Sequence, residues 1–405
     1  NMSDQIIIIF PYRFREFDRK RFEVEYLKKH ANVIVYELID CLHKHFTVAY
    51  HQFDKSNDVI RPSSIFVWRK LYLENLKSHR GQTYVINFVP PSSFKELFVN
   101  YVLSSSEVFL LKYNNPGLPT QNNIKKSFLS KVREKYFFIR KRGSFKWAYK
   151  SINIRFIRFF YPILSRKSDF VLGVHNGEQE YATNFVNANS FDYSMFLKQN
   201  REIVSKDDNQ DTIIFIDSGG PLFKTDSFMY NVKHTLSKEL WYPALVSFFN
   251  IIENKTGKKV VIAAHPKHKY SEEDGQYFGS RQIVHDNTME MISKASFVIT
   301  LNSTAISYAV MCNKPVLFLL SNEILEDGND LLNMVETYAN ILGSSTINID
   351  KFDEELTINL SVNSEKYLLF KKNYLSSRLD KKTNGEIIID IMSTRKNVLS
   401  KISHQ

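Results

Sequence analysis

The stretch KKVVIAAHPKHKY (258–270), followed by MEMISKASFVITLNSTAISYAVMCNKPVLFLL (289–320), decides the fold of this 405-residue chain. Its apolar runs are Val260–Ala264, Phe297–Leu301 and Pro315–Leu320, and segments with helical spacing separate them. Continuous apolar runs separated by helices are typical of a parallel sheet buried on both faces. Because such sheets bind ligands at the carboxyl ends of their strands, the residues that follow each run are candidate site residues.

Two polar clusters follow the first two runs. His265-Pro266 comes after the first, and Asn302-Ser303-Thr304 comes after the second and precedes a predicted helix over 303–312. The free backbone N–H groups at a helix start suit a phosphate, so this segment indicates half of a nucleotide-sugar site. Plainer interpretations remain open, with His265 as a loop histidine and the three polar residues as helix caps.

Acidic residues supply the candidates for chemistry. Asp217 ends the run TIIFI (212–216) and precedes Ser218-Gly219-Gly220, where glycine lets the backbone approach a ligand closely. A carboxylate there could be a nucleophile, a base or a stabiliser of an oxocarbenium-like centre, or only an Asx-turn residue. Asp192, in SFDYSMF, is a similar but weaker candidate for a base or an acceptor contact.

A polar break, SKDDNQD (205–211), divides the chain into two α/β halves. Before it, strands are predicted in IIIIFPYRF (6–14), NVIVYELI (32–39), SSIFVW (63–68), TYVINFV (83–89), SEVFLLK (106–112) and SDFVLGVH (168–175). We expect two facing Rossmann-like domains with an active site in the cleft between them. The predicted domains are 1–205, which would bind acceptor, and 206–350, which would bind the nucleotide sugar. Residues 351–405 would form C-terminal helices that pack back across both.

The formal net charge of +11 has a local source. Residues 125–167 hold fourteen Lys and Arg against one acid, interleaved with eleven aromatic residues. Such a segment can bind single-stranded nucleic acid, seat a protein on an anionic bilayer, or simply be a solvated face. The candidate membrane residues are Arg140, Lys141, Arg142, Lys146, Trp147, Arg155 and Arg158.

Several function classes find no support in the sequence. The two cysteines, Cys41 and Cys312, lie in apolar segments and indicate core thiols in a reducing compartment. There is no P-loop, no G-x-G-x-x-G fingerprint and no convincing set of metal ligands. No apolar run reaches the length of a membrane span. We therefore expect a soluble or peripheral protein of the cytoplasm.

With these residues assembled, the chain resembles bacterial GT-B glycosyltransferases that use CMP-activated 2-keto acid sugars, such as sialyltransferases and Kdo transferases. The resemblance rests on His265-Pro266, on the Asn302-Ser303-Thr304 turn and on the order of strands around them. It implies that His265, Ser303 and Thr304 contact the CMP phosphate, and that Asp217 is catalytic. Ser218, Gly219 and Pro266 would complete the donor site.

The implied activity is transfer of a Kdo-, pseudaminic-, legionaminic- or sialic-type acid to a lipid-linked or oligosaccharide acceptor of a surface polysaccharide, such as capsule or O-antigen. Many UDP-sugar enzymes have a ribose-binding glutamate where this chain has Ser307 and Tyr308, which counts against a UDP-sugar donor. Asp286 or Glu290 could serve a ribose instead, but solvated surface acids are the plainer interpretation of both. Lipid-linked acceptors favour the bilayer interpretation of the basic segment over nucleic acid, and so imply a cytoplasmic protein that is peripheral at the inner face of the membrane. A CMP leaving group implies a reaction that needs neither metal nor cofactor, because fixed hydrogen-bond donors can offset its charge. The alternatives are a CDP-polyol phosphate or UDP-sugar donor, or a non-catalytic protein that binds nucleic acid through residues 125–167.

Overall fold

The computed structural model describes residues 3–43, 53–114, 155–157, 159–174, 182–202, 211–222, 236–265, 270–285, 287–327, 330–352, 355 and 358–402. Contacts divide these residues into two compact units. The first unit runs to Phe191 and resumes at Arg378, whereas the second spans Asp192–Ser377. The chain therefore leaves the first unit, builds the second, and returns.

The first unit contains a seven-stranded sheet in the order β3-β2-β1-β4-β5-β6-β7, with every neighbouring pair parallel. The strands are β1 (Gln5–Phe10), β2 (Asn32–Glu37), β3 (Val59–Ile60), β4 (Thr83–Asn87), β5 (Phe109–Asn114), β6 (Ser168–Gly173) and β7 (Ala182–Asn187). Helices of this part are α1 (Glu16–Arg21), α2 (Val24–Leu27), α3 (Ile39–Leu42), α4 (Ile65–Ser78) and α5 (Phe94–Ser104).

The four consecutive isoleucines of β1 form one continuous apolar run because the strand is buried on both faces. Residues 6–9 are all fully buried. Successive side chains of a strand point to opposite faces, so Ile6 and Ile8 enter one core and Ile7 and Ile9 enter another. A strand buried on both faces needs apolar residues at every position, which is the property of a central parallel strand.

The prediction of a strand at 63–68 is wrong, because these residues begin helix α4. The Ser64 side chain accepts a hydrogen bond from the Val67 amide at 3.2 Å and so caps the helix. Trp68 and Tyr72, four residues apart, face the core, while Phe66 is 71% exposed. A short apolar run cannot by itself distinguish a strand from a helix, and here the serine cap and the four-residue spacing were the better signal.

The second unit contains a six-stranded parallel sheet in the order β10-β9-β8-β11-β12-β13. Its strands are β8 (Thr212–Ile216), β9 (Lys259–Ala263), β10 (Ile283–Val284), β11 (Phe297–Thr300), β12 (Val316–Leu320) and β13 (Thr346–Asn348). The apolar runs Val260–Ala264, Phe297–Leu301 and Pro315–Leu320 therefore correspond to β9, β11 and β12.

The second unit also contains the short 3₁₀ helix Gln276–Phe278 and several α-helices. They are α6 (Phe191–Glu202, which starts at the boundary), α7 (Lys238–Thr256), α8 (Glu272–Gly275), α9 (Thr288–Lys294), α10 (Ile306–Met311), α11 (Asn322–Asp327), α12 (Asp330–Leu342) and α13 (Ser364–Phe370), the last continued by a π-helix over Lys371–Leu375. Tyr193, Met195 and Phe196 of α6 pack against the core of this unit. The units are therefore divided at the first residue of α6, between Phe191 and Asp192, whereas the predicted boundary is the polar stretch 205–211.

The last helix, α14 (Asn384–Ile402), belongs to the first unit. Its Ile387, Ile388, Ile391 and Met392 share a core with β1. The start of the helix is fixed by the buried Glu23, which accepts hydrogen bonds from Thr383 Oγ1 at 2.7 Å and from the Gly385 amide at 3.0 Å. Of the tail predicted to begin at 351, only the residues from Arg378 onward join the first unit.

Within the described ranges, no helix is both long enough and apolar enough to cross a bilayer.

Candidate active site

Asp217 directly follows β8, the strand at which the order of the second sheet reverses. The chain passes from β8 to β9 and β10 on one side, and then returns to β11 on the other. Ile216 pairs with Ala263 of β9 and with Thr300 of β11. The Asp217 amide also donates to the Ala263 carbonyl at 3.0 Å. This edge is a topological switch point, where open parallel sheets bind their ligands.

The carboxyl group of Asp217 is in an unusual environment, because the residue is only 3% exposed. Burial raises the pKa of this carboxyl group from its ordinary 3.8 to about 7, while a hydrogen bond from the Gly219 backbone opposes the rise. The Tyr270 hydroxyl donates a hydrogen bond to Oδ2 of the same group. The protonated and charged forms are therefore both populated near neutral pH.

The turn after Asp217 depends on its two glycines. Gly219 has a φ of 92° and Gly220 a φ of 41°, and both values lie in the left-handed region that favours glycine. A Cβ atom on Gly220 would lie 3.3 Å from the Tyr242 hydroxyl and 3.5 Å from Trp241 Nε1, both on α7. The turn thus keeps its backbone close to the buried aromatic residues of α7, and Ser218 beside it is half-buried.

Asn302, Ser303 and Thr304 form a turn that precedes a helix. The predicted helix start at Ser303 is wrong, because α10 begins at Ile306 with Ala305 as its N-cap. The amides of Ile306 and Ser307 bond to carbonyls three residues back, which gives a tight 3₁₀-type entry. Ser303 Oγ accepts the Ala305 amide at 3.2 Å and keeps its own proton for another acceptor.

Three sequence-predicted groups thus follow neighbouring strands. His265 lies two residues beyond β9, Asp217 follows β8, and Asn302 lies two residues beyond β11. His265 and Ser303 are half-buried, and Thr304 is exposed. Pro266 lies outside the described residues.

Two of the three other acidic candidates, Asp192 and Glu290, have partners in the second unit. Asp192, in the first turn of α6, accepts a hydrogen bond from the Tyr308 hydroxyl of α10 at 3.3 Å. Tyr308 therefore positions an acid. Glu290 pairs with Lys294 on the surface of α9 at 2.9 Å, a contact typical of a solvated helix face. Asp286 lies outside the described residues.

Sequence analysis missed the aromatic residues around Asp217. The Tyr270 ring packs 5.7 Å from that of Phe278 and 6.2 Å from that of His285, which follows β10. Tyr270 ends the motif HPKHKY, in which the sequence pattern points only to His265 and Pro266. Nothing in the sequence shows that the chain turns back to Asp217 after His265.

Most of the candidate membrane residues lie outside the described part of the chain, namely Arg140, Lys141, Arg142, Lys146, Trp147 and Arg158. Arg155 is described and exposed. Near it, the exposed rings of Phe156 and Phe159 both contact Phe160, with centroids 4.2 and 5.2 Å away.

Among the described residues, no group of three His, Cys, Asp or Glu side chains is arranged to hold a metal ion. Independence from metal remains a prediction about activity.

No protein-family model and no curated protein sequence matches the chain. Among solved structures, a variant of the wall teichoic acid polymerase TagF is similar over 99% of this chain and 91% of that one, with 12% identity and a TM-score of 0.51. The glycosyltransferase SnogD from Streptomyces nogalater is similar over 97% and 99%, with 8% identity and a TM-score of 0.48. The UDP-GlcNAc 2-epimerase of Methanocaldococcus jannaschii, in complex with UDP-GlcNAc and UDP, covers 96% and 99% at 10% identity and a TM-score of 0.44.

At these identities a likeness concerns the fold alone, and of these three structures we base the argument on TagF, whose TM-score exceeds 0.5. Together with the two parallel sheets and their helices, it confirms the prediction of an α/β, two-domain GT-B fold.

Proposed function

We propose that this chain is a glycosyltransferase that moves an ulosonic or nonulosonic acid, of the Kdo, pseudaminic, legionaminic or sialic type, from its CMP donor to a bacterial surface glycan. The observation that carries the proposal is the buried Asp217 carboxyl group at the switch point of the second sheet. A titratable group with a strongly perturbed pKa at a ligand-binding edge is a candidate catalytic group.

Groups that follow the three neighbouring strands would hold the donor phosphate. The Gly219–Gly220 backbone, the hydroxyls of Ser303 and Thr304, and the His265 imidazole can each donate a hydrogen bond. Fixed donors aimed at the departing phosphate offset its developing charge, so the proposed reaction needs no metal and no cofactor.

Asp217 would act at the anomeric carbon in its ionised form. A carboxylate there can stabilise an oxocarbenium-like transition state or form a covalent intermediate with the sugar. Covalent attack by Asp217 gives retention, whereas an electrostatic role gives inversion and requires a separate base. Asp192, held by Tyr308, is the candidate base in the second unit.

The segment 125–167 would bring the enzyme to a lipid-linked acceptor at the inner face of the membrane. Each basic residue near an anionic surface contributes about 1 kcal/mol of attraction. Binding to vesicles containing anionic lipid, compared with binding to random oligonucleotides at the same salt concentration, tests this part. Preference for the oligonucleotides would favour a nucleic-acid-binding protein instead.

A thermal-shift screen against CMP, CDP, UMP, UDP, GDP and ADP tests the donor class. A ligand that binds only the folded protein, at about 100 times its dissociation constant, adds about 2.7 kcal/mol of stability. We expect stabilisation by CMP that is lost in His265→Ala and Ser303→Ala. The matched control is Ser293→Ala, which removes an exposed serine on α9 and should leave the CMP response intact. No response to any nucleotide would refute the proposal.

A second candidate donor is a CDP-polyol phosphate. We keep this alternative beside the CMP donor because one protein of similar fold, matched over 99% of this chain, is a wall teichoic acid polymerase. Stabilisation by CDP and not by CMP would decide for it, and a response to UDP alone would indicate a UDP-sugar.

A further inference from the structure

Helices α4 and α5 of the first unit carry aromatic side chains on the side that faces away from the core. On the inner side, Trp68 of α4 and Val99 of α5 are fully buried in one core. On the outer side, α5 carries Phe94, Phe98 and Tyr101, whose spacing of four and three residues places them in one row along the helix. Phe94 is 50% exposed and Tyr101 is 45% exposed. The outer side of a surface helix is ordinarily polar, so this row of rings needs an explanation.

Ring contacts join this row to two neighbouring helical segments. The Phe66 ring, in the first turn of α4, lies 6.0 Å from that of Phe98. The Phe94 ring lies 5.7 Å from that of Phe156, within the helical residues 155–157 and 159–164. Single exposed apolar side chains are common on protein surfaces, but rings in mutual contact form a continuous patch, which is typical of an interaction surface. The term aromatic patch is used below for Phe66, Phe94, Phe98, Tyr101, Phe156 and Phe159.

The charged side chains around the aromatic patch are mostly basic. In the described parts of α4, α5 and residues 155–167, the exposed charged residues are one acid, Glu74, and the basic residues Arg69, Lys70, Lys77, Lys95, Arg155, Arg166 and Lys167. Glu74 and Asp169 pair with Lys70 and Arg166, so five basic residues remain in excess of these acids. Rings bordered by Lys and Arg suit an anionic bilayer, with the rings at the interface and the basic groups on the lipid headgroups.

The aromatic patch lies beside the carboxyl edge of the first sheet. Helix α4 follows β3 and α5 follows β4, so the first turns of both helices, with Phe66 and Phe94, are at that edge. Open parallel sheets bind their ligands there. A bilayer on this patch would therefore adjoin the edge at which the first unit would receive a lipid-linked acceptor.

We propose that the aromatic patch docks the first unit on an anionic bilayer, with the rings of Phe66 and Phe94 among the headgroups and Arg69 and Lys70 on the lipid phosphates. This inference rests on the membrane association in the proposed function. It extends that association from the segment 125–167 to a folded surface built by α4 and α5, and it does not depend on which nucleotide donor is used.

A second copy of the chain is the main competing occupant of an apolar patch. A symmetric dimer would place the same patch of both copies face to face, and the excess of basic residues around the rings would then meet its own like charges. Juxtaposed like charges oppose association, whereas an anionic lipid surface neutralises them. The charge around the patch therefore favours the bilayer.

The experiment is sedimentation of the full-length chain with vesicles of phosphatidylglycerol and phosphatidylcholine, and with vesicles of phosphatidylcholine alone. We expect Phe66→Ser combined with Phe94→Ser to lower the partition coefficient on the anionic vesicles about tenfold or more. Arg69→Gln and Lys70→Gln should each lower it about fivefold, and less at high salt. All four side chains are exposed, so the thermal stability of these variants should stay close to that of the wild type.

The matched controls are Leu379→Ser and Lys29→Gln. Leu379 is 97% exposed and precedes α14, and the exposed Lys29 follows α2. Helices α2 and α14 pack against the face of the sheet that carries Ile6 and Ile8, opposite to the face under α4 and α5. Both control variants should partition like the wild type.

A tryptophan at position 66 reports directly on insertion. The fluorescence of Phe66→Trp, measured as the difference from the wild type, should be quenched by brominated phosphatidylglycerol. The fluorescence of Leu379→Trp, measured in the same way, should not be quenched.

Four results would overturn the inference. They are an unchanged partition coefficient of the Phe66→Ser, Phe94→Ser variant, an unquenched Phe66→Trp, equal binding of the wild type to neutral and anionic vesicles, and self-association in the ultracentrifuge that this double variant abolishes. None of them touches the donor site, which the CMP-induced thermal shift measures separately. A wild-type protein that docks through the patch but responds to no nucleotide would remove the proposed donor and support the docking surface.

Discussion

Replacement of Asp217 by asparagine should abolish a specific pH dependence of stability. In the folded protein burial raises the pKa of Asp217 from 3.8 to about 7. Between these two values the folded state binds a proton that the unfolded state has lost, so stability falls as the pH rises. Each pH unit in this range contributes about 1.4 kcal/mol, which amounts to about 4 kcal/mol in all and about 3 kcal/mol between about pH 5 and pH 8. The amide of the Asp217→Asn variant does not titrate in either state, so this contribution disappears.

The assay is denaturant unfolding followed through Trp241, which lies beside the glycine turn, in a protein carrying Trp68→Phe and Trp147→Phe. Other groups titrate over the same range. The relevant quantity is therefore the difference in the free energy of unfolding between the protein with Asp217 and its Asp217→Asn variant, measured at about pH 5 and at about pH 8. Asp211→Asn, which removes an exposed carboxylate before β8, is the matched control. If the free energy of unfolding depends on pH in the same way in the protein and in its Asp217→Asn variant, this carboxyl group ionises normally and the argument from burial is refuted.

Three other predictions concern activity. His265→Ala should lower turnover by orders of magnitude with an intact fold, as judged by circular dichroism, and near-normal turnover would remove His265 from the mechanism. Tyr270→Phe removes a hydrogen bond to the charged form of Asp217, so the pKa of that carboxyl group should rise further and the rising limb of the kcat–pH profile should move to higher pH. An unmoved limb would separate Tyr270 from the ionisation of Asp217. Activity should survive EDTA, and its loss on chelation with recovery on adding a divalent metal would contradict a metal-free reaction.

The central strands could be predicted from sequence because burial on both faces leaves a continuous apolar run. The runs at 6–10, 212–216, 297–300 and 316–320 all correspond to observed strands. The short edge strands β3, β10 and β13 bury few residues and give no comparable pattern. At 63–68 the apolar run is misleading, because Phe66 and Val67 lie on the exposed side of a helix whose fully buried side chains are Trp68 and Tyr72.

The candidate site could be predicted only where its residues follow strands directly. Asp217, His265 and Asn302 stand within two residues of a strand end, so parallel topology alone places them at one edge. Tyr270 comes from a loop whose return to Asp217 depends on tertiary packing. The raised pKa of Asp217 is likewise a property of burial, which an aspartate in a sequence does not reveal.

The return of the chain to the first unit has a consequence for biosynthesis. About 190 residues separate Phe191 from Arg378, and at about 5–20 residues per second the ribosome needs roughly ten to forty seconds to make them. During this time the sheet face of Ile6 and Ile8 lacks the isoleucines of α14 that cover it. The second unit is therefore made in full before the first can be completed, and the apolar sheet face of the first unit is open to aggregation until α14 has been made.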